Sequence, residues 1–452
     1  MRRFSLLVKA VSLAAVLLVL MMGLSMIGGL ANERVAYRAQ AAASVRESLA
    51  GQQVLAGAAM SRHCTTTVES RVERDKKVVT ERHDEQVVLK SLPQSAVWTA
   101  TSKLEPRYRG LYKVNSFNLD AKGDIEWTAG TDLVAPVVAA PVVAVRCDLP
   151  RVEFAVSDAR GVRGIKVIGP KGAENVVAST NGEFFKTGFE AAIDLDDATL
   201  QKPFRIQLDV QLVGTEALGF VALGHENTVS LTSDWAHPSF SGAFLPMTRS
   251  ASDKGFQAKW SVSSLASNAR GQIGKNASVC AENIGLSRQG GQCLQSFGVD
   301  FIDPVNPASL SDRATKYGIL FIVLTFAGIV LLEVLKGQAV HPVQYLLIGA
   351  AMAVFFLLLL SLSEHIAFIK AYVTAAVACV ALLTVYAKAV LGGWQRALPM
   401  SAGLAVLYCV LYLVLQSEQH ALLAGSLLVF AVLAGVMLLT RHVKWGGLNE
   451  GA

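Results

Sequence analysis

The chain lacks the marks by which most soluble enzymes are read. It has no phosphate-binding loop of the G-x-x-x-x-G-K-[ST] type: Gly271-Gln-Ile-Gly274-Lys275-Asn276 has the wrong spacing and no hydroxyl after its lysine. No G-x-S-x-G elbow and no H-E-x-x-H zinc helix occurs. Cysteines number only six, with no C-x-x-C pair and no Cys/His spacing suited to zinc, so neither a metal nor a cofactor is expected. No cysteine stands just after the first apolar run, which argues against a lipoprotein. Charge is sparse as well. Asp, Glu, Lys and Arg make up 17% of the residues, below the roughly 25% of ordinary soluble domains.

Long apolar runs take the place of the missing charge. One opens the chain, from Ala10 to Ala31. A long stretch of soluble-looking sequence follows. Five more runs then fall at 317–335, 342–363, 371–391, 397–417 and 421–440. A hydrocarbon core about 30 Å thick needs about 20 apolar residues at 1.5 Å rise each. All six runs meet or approach that length. The expectation is an α-helical polytopic membrane protein of six spans, with one large domain inserted between the first and the second. Short linkers make the later spans antiparallel hairpins. The first run is longer than the 7–15 apolar residues of a cleaved signal, and reads as a signal anchor; Gly29 and Ala31 keep cleavage as the alternative.

The formal charge is +6. Acidic and basic side chains balance within residues 32–315, so the whole excess belongs to the membrane part. If the N-terminus lies inside, the inner side collects Arg2, Arg3, Lys9, Lys336, Lys388, Arg396, Arg441 and Lys444. The short outer loops hold Lys370 with Glu364 and Glu418, and Lys316 marks the outer mouth of the second span. That is the positive-inside pattern. The basic balance therefore reports topology and gives no reason to expect nucleic-acid binding. The expected order is a cytoplasmic N-terminus 1–9, the span 10–31, a juxtamembrane helix 32–50, a periplasmic domain 51–312, a five-span bundle 313–440 and a cytoplasmic C-terminus 441–452.

The domain between the spans has β texture. Phe204, Ile206, Leu208, Val210 and Leu212 occupy every second position, as in a half-buried strand. Turn residues recur at short intervals, and long helical periodicity is absent. A large all-β, sandwich-like antiparallel domain is predicted. The Gly/Asn/Gln/Ser-rich stretch Ser267–Leu294 reads as a long loop. An oxidising compartment permits disulfides, and Cys280 with Cys293 is a candidate pair; Cys64 with Cys147 is a second. Cys379 and Cys409 fall inside spans and read as packing residues.

Few constellations can carry chemistry. Asp234, Trp235, His237 and Ser239 place an acid, an aromatic, a base and a hydroxyl in one short stretch, but a local stretch seldom converges into a triad. A packed, kinked loop competes with a binding role there. Asp158 and Arg160 read as a turn with an ion pair, or as a second binding candidate. In the membrane part the ionisable candidates are Glu333, His341 with Tyr345, and the pair Glu364–His365, matched by Glu418 and His420 on the same outer side. Charged groups at membrane depth are functional candidates by default. A plain helix-surface pair of Glu333 with Lys336 competes, as do interfacial positions for the two Glu–His pairs.

Several stretches carry a family resemblance. They are Ser157-Asp-Ala-Arg-Gly161, Leu231-Thr-Ser-Asp-Trp-Ala-His-Pro-Ser-Phe240, Gly255-Phe-Gln-Ala-Lys-Trp260, Asp312-Arg-Ala-Thr-Lys-Tyr317, His341-Pro-Val-Gln-Tyr345 and Leu362-Ser-Glu-His365. With Gly242 and Phe244-Leu-Pro246, they resemble the CreD family of inner-membrane cell-envelope proteins over nearly the whole chain. The resemblance implies a bacterial inner membrane, induction through a sensor-kinase system and a part in envelope integrity under stress. It implies no enzymatic activity and so no catalytic residues. The stretch holding Cys280 and Cys293 lies outside the recognised pattern.

The resulting expectation is a protein anchored in the lipid bilayer whose periplasmic domain binds an envelope protein, lipid or glycan. Self-association of the bundle is left open. Two other readings also stay open: ion-coupled transport through Glu333 and Glu364/His365, and an enzyme on a cell-wall or lipid-linked substrate.

Overall fold

The structure, a computed structural model, describes residues 2–74, 77–129, 131–273, 278–281, 293–301, 303, 307–336, 340–416 and 421–440. The chain divides into two compact units, Ala41–Pro304 and Met1–Gln40 with Val305–Ala452. Helix α1 runs unbroken from Arg2 to Ser48. The predicted first span and juxtamembrane helix are thus one element. Residues 32–48 are rich in Ala, Arg and Glu and contain no proline, so nothing stops the helix at the end of the apolar run.

The unit Ala41–Pro304 is a two-sheet sandwich. In the first sheet the neighbours run Pro238–Gly242, Ser296–Phe301, Ala217–Val221, Gln53–Arg74, Arg151–Val156, Gly188–Ala192 and Val176–Ser179. Strands Lys77–Ser91 and Val142–Cys147 also pair with Gln53–Arg74. In the second sheet the order is Thr248–Ser252, Gly255–Ser263, Glu226–Ser233, Ser95–Arg109, Tyr112–Trp127, Phe204–Thr215, Val162–Gly169 and Gly172–Glu174.

The expectation of a wholly antiparallel domain is corrected. Gln53–Ala56 pairs in parallel with Leu218–Val221, and Ser95–Ser102 with Glu226–Ser233. Both partnerships join segments more than a hundred residues apart. Chain that long can make the crossover a parallel pair requires, and a hairpin turn cannot.

Alternation builds the core. Phe204, Ile206, Leu208, Val210 and Leu212 are buried between the sheets, with Phe256, Ala258, Trp260 and Val262 of the strand Gly255–Ser263. Gly255 has φ +131°, and the Ser233 carbonyl occupies the place a Cβ would take, so the turn into that strand demands glycine. On Gln53–Arg74, Leu55, Ala58 and Met60 face the main core. Val54, Ala56 and Ala59 face the other way, the parity changing at a bulge between Gly57 and Ala59.

Those outward side chains join a second, smaller core with Phe184, Phe185 and Leu223. Two short helices belong to this unit, α2 Asp197–Leu200 and α3 Ala269–Ile273. Helix α3 lies within the stretch read from sequence as a loop. Its Ala269 and Ile273 are buried in the smaller core with Leu294, which is why the segment is ordered there despite its polar composition. The disulfides Cys64–Cys147 and Cys280–Cys293 are both formed.

The other unit combines the first part of α1 with α4 Pro307–Lys336, α5 Pro342–Ser363, α6 Phe368–Leu391, α7 Trp394–Gln416 and α8 Ala421–Thr440. Helix α4 begins before the predicted span, at a proline whose fixed φ suits a first helical position. Among the described residues five helices, α1 and α4–α7, are long and apolar enough to cross a membrane. Helix α8 is uncharged throughout; residues 417–420 and 441–452 beside it lie outside the description, and with them Glu418 and His420. The packed interior centres on α5, where Tyr345, Ile348, Met352, Phe355, Phe356 and Leu359 are buried along one face. Helix α6 turns Val373, Val377, Leu382 and Val385 outward, a surface suited to lipid and costly in water.

Candidate functional site

Within the helical unit the sites are built by carboxylates at the ends of apolar helices. Glu333 lies in the last turn of α4. Its carboxylate forms an ion pair with Lys9 of α1. It also accepts hydrogen bonds from the Tyr345 hydroxyl of α5 at 3.1 Å and from the Val340 N–H at 3.2 Å. The Glu333 side chain is 12% exposed and that of Lys9 29%. Three helices thus meet on one partly buried anion. Sequence reasoning placed Lys9 in the tally of inner charges and did not pair it. The missed signal is depth: both residues stand where an uncharged run meets its inner border. Lys336, the expected partner, has its side chain outside the description.

A second tie forms at the opposite end of the spans. Glu364 caps the C-terminus of α5 and pairs with Arg34 of α1 at 3.2 Å. The neighbouring Ser363 hydroxyl lies 3.3 Å from that of Ser311 on α4. From Lys9 to Arg34, α1 rises about 37 Å at 1.5 Å per residue, just beyond a hydrocarbon core of about 30 Å. The two ion pairs therefore bracket the apolar length of α1.

The remaining candidates do local work. His341 is the N-cap of α5: its ring nitrogen accepts from the Val343 N–H at 3.3 Å, and Gln344 returns a bond to the His341 N–H at 3.0 Å. Next to Glu364, the exposed His365 uses its backbone to close the helix, donating to the Leu362 carbonyl. Among the described residues no set of three or more His, Cys, Asp or Glu side chains converges as ligands for a metal.

In the β unit, Asp158 and Arg160 form a clasp. The Asp158 carboxylate accepts from the Arg160 guanidinium at 2.6 and 2.9 Å and from the Gly51 N–H at 2.9 Å. Arg160 also donates to the Glu47 carbonyl at 2.7 Å, in the last turn of α1. The Arg160 guanidinium, with the backbone N–H groups of Gly51 and of Arg160 itself, holds the Asp158 carboxyl below its ordinary range against the opposing effect of burial.

The stretch from Asp234 to Ser239 does not assemble a relay. Asp234 accepts from the Leu104 N–H at 2.9 Å. Trp235 donates its indole N–H to the His237 carbonyl at 2.8 Å, and the two rings meet edge-on. Ser239 lies in a strand opposite Asp300, whose carboxyl burial pushes up. The acid is thus engaged by a distant backbone amide, and among the described residues no hydrogen bond joins it to the base or the hydroxyl. What they make with their surroundings is a surface patch. Lys113 sits 5.4 Å over the Trp235 ring and pairs with Asp303 at 3.5 Å. Beyond Lys113 the hairpin tip exposes Tyr108 and Leu111. Nothing in the residue order marks Lys113, because strands distant in the chain bring it there.

Comparison with known proteins decides the family. The sequence model described as "Inner membrane protein CreD" matches residues 5–446. The chain belongs to the CreD family. It is similar to the "Inner membrane protein CreD" of Escherichia coli (strain K12), 32% identical over 440 residues, which cover 97% of this chain and 93% of that one. With its several apolar helices, this CreD-family chain is a multi-pass inner membrane protein.

Proposed function

We propose that the chain serves cell-envelope integrity as a six-span protein. Both termini lie in the cytoplasm, and the β-rich unit stands in the periplasm, where it binds an envelope component or partner protein. The charge partition supports that orientation. The two disulfides of the β unit suit an oxidising compartment. Helix α8 supplies the sixth span.

The observation that carries the binding reading is the patch around Trp235. A half-buried indole under a lysine, flanked by exposed Asp234 and His237 and by Tyr108 at 65% exposure, presents the aromatic and cationic chemistry of recognition surfaces. The same residues hold no acid–base–nucleophile relay, so binding is favoured over catalysis.

The test is a photo-crosslinking residue placed at His237 or Tyr108 in living cells, with exposed Lys122 as control. A discrete adduct from the first two positions and not from Lys122 is expected. No adduct, or the same adducts from all three, would overturn the reading.

A further inference from the structure

One stretch of the β unit is exposed and yet wholly apolar. From Leu133 to Val145 every residue is Leu, Val, Ala or Pro. Val137 is 83% exposed and Val138 57%, and Val143 and Ala144 are exposed beside them. Scattered apolar side chains on a surface are ordinary, but a contiguous run of them marks a contact.

The run ends in the strand Val142–Cys147, which among the described residues pairs with Gln53–Arg74 alone. Its other edge is open. Parity decides which backbone groups lie on that edge. The Asp148 N–H donates to the His63 carbonyl at 2.9 Å. The register continues with Cys64 opposite Cys147, Thr65 opposite Arg146 and Thr66 opposite Val145. Bonded and non-bonded pairs alternate along an antiparallel ladder, so Arg146 is in a bonded pair, whereas Cys147 and Val145 are not. The Cα–Cα separation of 4.0 Å at Cys64–Cys147 agrees, non-bonded pairs being the closer kind. The N–H and C=O of Val145 therefore turn away from Gln53–Arg74, toward the open edge.

Proteins guard such edges with charge, proline or brevity. Strand Lys77–Ser91, also paired with Gln53–Arg74, is crossed by charge from Glu81 to Glu85. Thr248–Ser252, at the rim of the second sheet, is polar and carries Arg249. Val142–Cys147 has no charge before Arg146, and Pro141 stands ahead of the strand, clear of Val145. The disulfide at Cys147 pins the end of this strand to Gln53–Arg74, so a mate meets an edge that is already ordered.

Chemistry names the mate. An acyl chain cannot bond a backbone amide. The occupant must bring an extended backbone, β-branched side chains and no charge. The same strand in a second copy brings all three, and copies held in one bilayer meet at high effective concentration. We propose that this edge pairs antiparallel with itself in a second copy of the chain, about a two-fold axis at Val145, each Val145 N–H donating to the Val145 carbonyl of the second copy. Val137 and Val138 extend the apolar contact. The pairing uses none of the residues around Trp235, so it stands or falls apart from the binding role of that patch.

The test is a photo-crosslinking residue at Ala144, whose exposed side chain borders the edge, in cells carrying two differently tagged copies of the full chain. An adduct holding both tags is expected, and none from exposed Lys122. Val145→Pro deletes the outward N–H, spares the bonded pairs and should abolish the adduct. Val145→Thr keeps both the N–H and the β-branch and should retain it. The Cys64–Cys147 bond should still form in both variants on non-reducing gels, which reports the strand in place. Val143→Lys leaves the backbone whole, charges the edge and should cut the adduct severalfold. No doubly tagged adduct from Ala144, an equal one from Lys122, or a yield indifferent to Val145→Pro or to Val143→Lys would overturn the proposal. So would loss of the adduct in Val145→Thr.

Discussion

At the residue scale, the pair Lys9–Glu333 shows how strongly context governs a charge. Alone at the end of an apolar helix, either side chain is a liability; together with Tyr345 and the Val340 N–H they close a network. Removing one partner strands the other, which costs about 3 kcal/mol for a buried pair, whereas replacing both by apolar groups is often neutral. Lys9→Met and Glu333→Met should therefore each lower the unfolding temperature of the full chain in detergent, and the double variant should recover most of the loss. Single variants as stable as the native chain would show the pair to be idle.

The clasp at Asp158 makes a prediction about pH. A carboxyl held low in the folded state adds stability above its unfolded value, near 3.9, and that stability is lost as pH falls through the lower folded value. Asp158→Asn should thus be less stable than the native chain at pH 7, and the gap should narrow below about pH 4 as the native carboxyl is protonated. Melting temperatures at pH 7 and pH 3 check this, and a gap constant with pH would remove the Asp158–Arg160 charge from the explanation.

At the scale of elements, the two disulfides should contribute unequally. Cys64–Cys147 closes a separation of 83 residues and Cys280–Cys293 one of 13. Loop-closure entropy gives about 4.5 kcal/mol for the first and about 3 kcal/mol for the second. Denaturant midpoints of the full chain should fall further for Cys64→Ser with Cys147→Ser than for Cys280→Ser with Cys293→Ser. The reverse order would mean that native packing, rather than the unfolded chain, decides the difference.

Elements also separate the readable from the unreadable. The strand through Phe204–Leu212 is plain in the sequence because its alternation is strict. Helix α5 occupies the apolar run Pro342–Ser363 between a capping residue and a glutamate. Helix α3 was hidden, since its burial depends on Phe184, Phe185 and Leu223, which come from other parts of the chain.

For the whole molecule, the division of charge predicts topology. A periplasm-active phosphatase fused after residue 150 should be active, and a fluorescent protein fused at the C-terminus should glow in the cytoplasm. An inactive phosphatase at that position would invert the protein and remove the periplasmic β unit with it.

Residue order alone was enough for whatever depends on local regularity. Apolar length against bilayer thickness and alternation with a period of two are each written along a single segment. The motifs Gly255–Trp260 and His341–Tyr345 also had a local logic: a turn that only glycine fits, and a helix cap. Three-dimensional folding was needed for everything that joins distant segments. It made two strand pairs parallel, brought Lys9 to Glu333 and Arg34 to Glu364, and set Lys113 over Trp235. Those outcomes depend on which surfaces meet, and contact between residues more than a hundred positions apart leaves no periodic trace in either one.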